Sequence, residues 1–170
     1  MRIEAALAFG GNLGDPVAAF AAALRGLRAH PAITLGGLSS VYRTAPWGKT
    51  DQPEFLNMAA LVETTLVPEE LLAFCLELER AGGRERGERW GPRTLDIDIL
   101  TYGEEATDRP GLQLPHPRIA ERAFVLAPLA EIAPDRMIGG RTVAKLLEAV
   151  ADDTIRRDDA ATRRLISLLA

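Results

Sequence analysis

Between Thr94 and Tyr102 the chain alternates with a period of two: Leu95, Ile97 and Ile99 fall on one side, Asp96 and Asp98 on the other. Successive side chains of a strand point to opposite faces, so the segment predicts a β-strand with one face in a core and two carboxylates on the other. Aspartate is depleted in strands, and a pair with Cβ atoms about 6 to 7 Å apart must be offset by a cation or by solvent. Whatever sheet holds this strand has to supply one or the other.

The chain is long enough to build one such sheet and cover it. Its 170 residues, 47% hydrophobic and 26% charged, fit a single globular domain. No run approaches the roughly 20 apolar residues that cross a bilayer. Met1-Arg2-Ile3-Glu4 lacks the basic start and long apolar stretch of a signal peptide, so a cytoplasmic chain is expected. A single cysteine, Cys75, excludes an intramolecular disulfide and a cysteine-rich zinc site. With only His30 and His116 as nitrogen donors, oxygen ligands must dominate any metal site. The formal charge of -4 argues against general affinity for a polyanion, yet 18 of the 20 cationic residues are arginine, and Arg80, Arg84, Arg86, Arg89 and Arg93 share one short stretch.

Ile3 to Phe9 reads as a strand that feeds the glycine-rich turn Gly10-Gly11-Asn12-Leu13-Gly14. Asp15 and Pro16 open an amphipathic helix carrying Val17, Phe20, Leu24 and Leu27, which His30-Pro31 stops. Leu38 to Thr44 predicts a β-branched and aromatic strand, followed by a long loop, Ala45 to Pro53, with two prolines and Trp47. Asn57 to Thr64 predicts a strand buried on much of both faces, and Pro68-Glu69-Glu70 opens a helix that Gly82-Gly83 closes. Leu112 to Leu114 follows as a short strand, then a short helix from Phe124 to Ile132 interrupted at Pro128, and a helix from Thr142 to about Val150. Residues 1–150 are taken as the domain proper. Residues 151–170 form a C-terminal extension that suits a docked helix, an added strand or a partly ordered tail. Strands and helices interleave without a parallel-sheet rhythm, which points to an α+β domain with a mostly antiparallel sheet covered by helices.

Two carboxylates on one strand face suit Mg²⁺, a hard ion that completes its shell with water and substrate phosphates. The alternative for a D-x-D alone is an edge strand with a solvated face. Immediately upstream lies Arg84-Glu85-Arg86-Gly87-Glu88-Arg89-Trp90-Gly91-Pro92-Arg93, whose guanidinium forks suit a triphosphate and a transferring phosphoryl group. Glu85 and Glu88 could equally pair with some of these arginines in a solvated loop. His116, between two prolines, could donate to a phosphate or satisfy a backbone carbonyl. Trp47, Phe55, Asn57 and Phe124 could form a flat slot with one amide to read a heterocycle's edge, or belong to the core. No G-x-x-x-x-G-K-[ST] occurs, which excludes a Walker-type NTPase.

In order along the chain stand Gly10-x-Asn12-Leu13-Gly14-Asp15, Tyr42-Arg43-Thr44, Asp51-Gln52-Pro53-x-Phe55-Leu56-Asn57, Arg89-Trp90-Gly91-Pro92-Arg93-Thr94-Leu95-Asp96-Ile97-Asp98-Ile99-Leu100, Leu114-Pro115-His116-Pro117-Arg118 and Arg122-Ala123-Phe124. From Ala6 to Pro134 the sequence resembles the 6-hydroxymethyl-7,8-dihydropterin pyrophosphokinases of the folate pathway. The resemblance implies a single ferredoxin-like-type domain, its sheet covered by helices on both sides in a three-layer αβα arrangement. It implies transfer of pyrophosphate from ATP to the pterin hydroxymethyl oxygen, with release of AMP. By position, Asp96 and Asp98 would ligate two Mg²⁺ ions, and Arg84 and Arg93 would contact the transferring group. Glu79, Arg86, Trp90, Arg93, Ile99, His116 and Arg122 would hold ATP. Thr44, Trp47, Phe55, Asn57, Trp90, Asp96 and Phe124 would hold the pterin. The loops Ala45 to Pro53 and Arg84 to Pro92 look like lids that order as substrates bind. The expected partners are these small molecules, with no nucleic acid, no membrane and a monomeric chain. Departures from the family pattern include Gly11, Ala45 and Phe55 in place of serine, proline and tyrosine, and Leu76, Gly111 and Pro117 at nucleotide-contact positions.

Overall fold

β1 (Ile3–Gly11) is apolar on both faces because it lies inside a sheet covered twice. Its Ala5, Leu7 and Phe9 enter one core and Ala6 enters the other. A computed structural model of the chain describes residues 1–45, 51–82 and 94–170. β1 leads through the glycine-rich turn into α1 (Pro16–Ala29). The Asp15 carboxylate caps this helix by accepting from the Ala18 N–H at 3.2 Å, and Pro16 stands in its first turn.

The chain continues through β2 (Ile33–Leu38), β3 (Tyr42–Thr44), β4 (Phe55–Thr64), α2 (Pro68–Ala81), β5 (Asp96–Tyr102) and a hairpin of β6 (Thr107–Arg109) and β7 (Leu112–Leu114). α3 (Ala123–Ile132), a small hairpin of β8 (Met137–Ile138) and β9 (Arg141–Thr142), α4 (Val143–Val150), β10 (Arg156–Arg157) and α5 (Asp159–Leu169) complete it. Among the described residues the main sheet has six strands in the order β10-β3-β4-β1-β5, with β2 also on β4, and every pairing is antiparallel. Leu24 of α1, Leu71 and Cys75 of α2 and Leu165 of α5 pack on one face with Leu7, Phe9, Ile97 and Ile99. Leu126 and Leu129 of α3 and Leu146 of α4 pack on the other with Ala6, Ala59 and Leu100. The fold is thus an α+β three-layer arrangement around an antiparallel sheet.

Three details differ from the sequence reading. The stretch from Leu38 to Thr44 is not one strand: β2 ends at Leu38 and β3 begins at Tyr42. The Ser39 N–H still donates to the Ala59 carbonyl at 2.9 Å, but the Ser39 side chain accepts from the Ala59 N–H at 2.8 Å and the Ser40 N–H donates to Glu131 of α3 at 3.0 Å, so side chains take over part of the ladder at this point. α3 runs unbroken through Pro128, which is buried. Finally, β1 and β5 slip register between Ala6 and Leu7, so that Leu100 is an extra residue: Ala6 faces Thr101 and Leu7 faces Ile99. This bulge returns Tyr102 to the same core as Ile97 and Ile99.

Candidate active site

The face of the sheet under α3 is closed at one end and polar at the other. Along β5 it carries Leu100, then Asp98, then Asp96, and along β1 Ala6, Ala8 and Gly10 run beside them. At the polar end the register crosses four strands: Tyr42 lies opposite Asn57, Asn57 opposite Gly10, and Gly10 opposite Asp96. Thr44 and Phe55 form the next pair outward. The Asn57 amide donates to Thr44 Oγ1 at 3.0 Å in a buried contact, which fixes the amide's orientation from behind.

Gly10 stands in the middle of this row and leaves a gap in it. A Cβ there would come within 3.3 Å of Asn57 Oδ1, so the absence of a side chain keeps the floor between amide and carboxylate clear. Asp96 and Asp98 are each half-buried on this floor. Phe124 enters from the start of α3 over the same face, and the Arg122 guanidinium lies 5.8 Å above its ring. The side of the row is buttressed by Asn12, whose amide donates to Gln52 Oε1 and to the Pro53 carbonyl, both at 2.9 Å.

His116 approaches from the β7 side, where its backbone N–H donates to the Leu100 carbonyl at 2.9 Å. Its Nδ1 accepts from the Arg118 N–H at 3.3 Å, which leaves Nε2 to carry the proton of the neutral ring. Burial, then the Arg122 and Arg118 charges, hold the imidazole below its ordinary value of 6.5, with Asp96 pulling the other way. His116 therefore presents a neutral N–H donor near neutral pH. It also lines a cavity of about 270 Å³ along the outer edge of β5, with Ile97, Asp98, Ile99, Leu112 and Pro117. An apolar groove of Leu72, Ala73, Leu76 and Pro110 adjoins it, and Arg109 and Glu69 pair there at 2.6 Å.

The structure thus brings Thr44, Phe55, Asn57, Asp96 and Asp98 to one end of one sheet face, with Phe124 in the first turn of the helix above, Arg122 just before that helix, and His116 beside them. Glu79 sits apart on the opposite side of β5: it is 2% exposed, and its Oε1 accepts from the Ile97 N–H at 3.2 Å. Ile99 belongs to the core on that side and also borders the cavity. Trp47, Arg84, Arg86, Trp90 and Arg93, and most of both supposed lids, lie outside the described residues. Among the described residues no three histidine, cysteine, aspartate or glutamate side chains converge as a metal cage. Two carboxylates on an open face fit a hard cation that draws its remaining ligands from water and phosphate. Sequence reasoning passed over Gly10 as a site residue, since its value lies in the register of three strands. It also passed over Asn12, where the turn's glycines drew attention to backbone shape.

Comparison with known proteins bears directly on this arrangement. The family described as 7,8-dihydro-6-hydroxymethylpterin-pyrophosphokinase (HPPK) matches residues 6–134, which hold every residue of the row. The chain belongs to this family. A 2-amino-4-hydroxy-6-hydroxymethyldihydropteridine pyrophosphokinase of Methylorubrum extorquens is 50% identical over 155 residues, 91% of this chain and 98% of that one. Proteins of the same name from Pseudomonas aeruginosa and Bacillus subtilis are 43% and 48% identical over 89% and 78% of this chain, and 94% and 79% of their own lengths. Among solved structures, Plasmodium falciparum HPPK-DHPS with pteroate superposes with a TM-score of 0.73 at 14% identity. The chain is covered over 92% of its length in that match and spans about half, 48%, of the Plasmodium chain.

Proposed function

We propose that the chain transfers pyrophosphate from ATP to 6-hydroxymethyl-7,8-dihydropterin, giving AMP and the pterin pyrophosphate, and that the polar end of the α3 face is where it does so. The row Asn57–Gly10–Asp96 carries this reading, because it sets a fixed amide, a clear floor and a carboxylate side by side. The heterocycle lies over Gly10, with its edge on Asn57 and Thr44 and its faces toward Phe55 and Phe124. Its hydroxymethyl group then points toward Asp96 and Asp98.

ATP occupies the cavity beside β5, with His116 Nε2–H and Arg122 on its phosphates. Glu79 acts from behind, by fixing the start of β5 through Ile97. The place of Arg84 and Arg93 beside the D-x-D strand in sequence supports their role on the transferring group, that of Arg86 and Trp90 supports contacts to nucleotide and pterin, and that of Trp47 between Thr44 and Phe55 supports a contact to the pterin. Asp96 and Asp98 would hold two Mg²⁺ ions, which when bound neutralise phosphate charge and align the triphosphate. The hydroxymethyl oxygen attacks the β-phosphorus, the bond from that phosphorus to the α,β-bridging oxygen breaks, AMP leaves, and the hydroxyl proton passes to solvent. No covalent enzyme intermediate is required, so these residues contribute alignment and charge stabilisation.

The chain works as a cytoplasmic monomer on small molecules, without nucleic acid or membrane. Its net negative charge supports the expectation that nucleic acid is not a partner, and among the described residues no helix is long and apolar enough to cross a membrane. The test is product analysis with Mg²⁺, ATP and the reduced hydroxymethylpterin. AMP must form in step with pterin pyrophosphate; ADP as the only nucleotide product, or phosphate released without pterin, would overturn the reading.

A further inference from the structure

β3 is three residues long, yet it supplies Thr44, which holds the Asn57 amide. A strand this short is weakly fixed by its ladder alone. Its support comes from the end of the chain, beyond the residues that match the family. β10 pairs with β3, placing Arg156 opposite Arg43 and Arg157 opposite Tyr42. The Asp158 N–H donates to the Val41 carbonyl at 2.8 Å, and the Val41 N–H donates to Thr162 Oγ1 at 2.9 Å. Arg43 donates to Asp158 Oδ2 from Nε at 3.1 Å and from Nη2 at 2.6 Å. Arg157 donates to Ser40 Oγ at 2.7 Å, and the same hydroxyl donates to Glu131 Oε2 at 2.9 Å. Arg156 reaches past the strand to Glu54, just before Phe55, at 3.1 Å. The segment is anchored in turn by α5, whose Leu165 is buried, and by pairing of Arg164 with Asp15.

From these contacts we infer that residues 156–162 are a positioning strap for the pterin half of the site, acting through β3 on Thr44 and Asn57. This rests on the proposed placement of the pterin. The strap touches the strand before the site, and its hydrogen bonds and ion pairs among the described residues go to Ser40, Val41, Arg43, Glu54 and Glu131. Loosening it therefore raises the Michaelis constant for pterin and leaves that for ATP in place. A general loss of folded protein behaves differently: it lowers kcat and leaves both Michaelis constants alone.

The experiment is steady-state kinetics with each substrate varied, on full-length Arg157→Ala, Arg157→Lys and Arg43→Ala, with Asn57→Ala alongside and amide hydrogen exchange read over residues 40–44. Arg157→Ala and Arg43→Ala are expected to raise KM for pterin about three- to tenfold, the scale of one typical net hydrogen bond, with ATP KM within about twofold. Arg157→Lys restores part of the loss, and exchange at residues 40–44 speeds up in the alanine variants. If Asn57→Ala raises pterin KM while both strap variants leave it unchanged, the strap has no positioning role and the site reading survives. If Asn57→Ala itself leaves pterin KM unchanged, the placement of the pterin falls and the strap proposal falls with it.

Discussion

The two ends of the sheet face beneath α3 share β1, β4 and β5 and differ in what alternate positions carry. At the closed end, Ala6, Ala59 and Leu100 meet Leu126 and Leu129, and water is excluded. Four residues along β5 and β1, the positions become Asp96 and Gly10, with Asn57 beside them. Apolar positions at one end fix where α3 sits; polar and empty positions at the other leave a floor beneath its first turn. One helix docking thus makes both the core and the roof of the site, and the two ends should respond to substitution in opposite ways.

The largest expected contrast is at the carboxylates. Asp96→Ala or Asp98→Ala should cost about 10³-fold in turnover, equivalent to about 4 kcal/mol of transition-state stabilisation, while thermal unfolding stays within about 0.5 kcal/mol of the parent. Full activity in both variants would remove the metal assignment. At the closed end, Leu126→Ala should do the reverse. Its side chain is fully buried, so unfolding free energy should fall by about 2 to 5 kcal/mol in denaturant titration, with both Michaelis constants unchanged in the folded fraction. A large change in KM with little loss of stability would erase the distinction between the ends.

How much of this was legible in the sequence follows from where each signal resides. α1 was readable because its cap, its first-turn proline and its apolar spacing are all local. β5 was readable from its alternation, which placed Asp96 and Asp98 on one face. The break between β2 and β3 was not, because the carboxylate that takes the Ser40 N–H belongs to Glu131, far along the chain. The bulge at Leu100 is likewise a property of the β1–β5 pair. β10 is two residues long and has no local signature, and the strap it begins is visible only once Arg43, Asp158 and Thr162 are brought together. For the site, the motifs pointed to Phe55, Asn57 and the carboxylates, whereas the emptiness at Gly10 depends on which residues face it across the sheet.

That emptiness gives the next prediction. Gly10→Ala places a methyl 3.3 Å from Asn57 Oδ1, which should displace the amide and raise KM for pterin by about three- to tenfold, or about 1 kcal/mol, with ATP KM unaltered. An unchanged pterin KM would mean that the floor is not occupied by substrate. The smallest effect concerns His116. Because burial and the two arginines depress its folded value, the unfolded chain binds the proton first as pH falls below 6.5. The stability contributed by the neutral ring is present above 6.5 and is lost as pH falls through the depressed value. Arg122→Ala should move the histidine back toward 6.5 in an NMR titration, and a shift in the opposite direction would contradict the electrostatic account.

The most direct test is a crystal structure of the protein with a non-hydrolysable ATP analogue, Mg²⁺ and the hydroxymethylpterin. Divalent cations should lie between Asp96, Asp98 and the nucleotide's phosphates, with the pterin over Gly10 and its edge on Asn57. Carboxylates turned to bulk solvent, no cation beside them, and a nucleotide bound elsewhere would contradict the assignment of this sheet face as the active site.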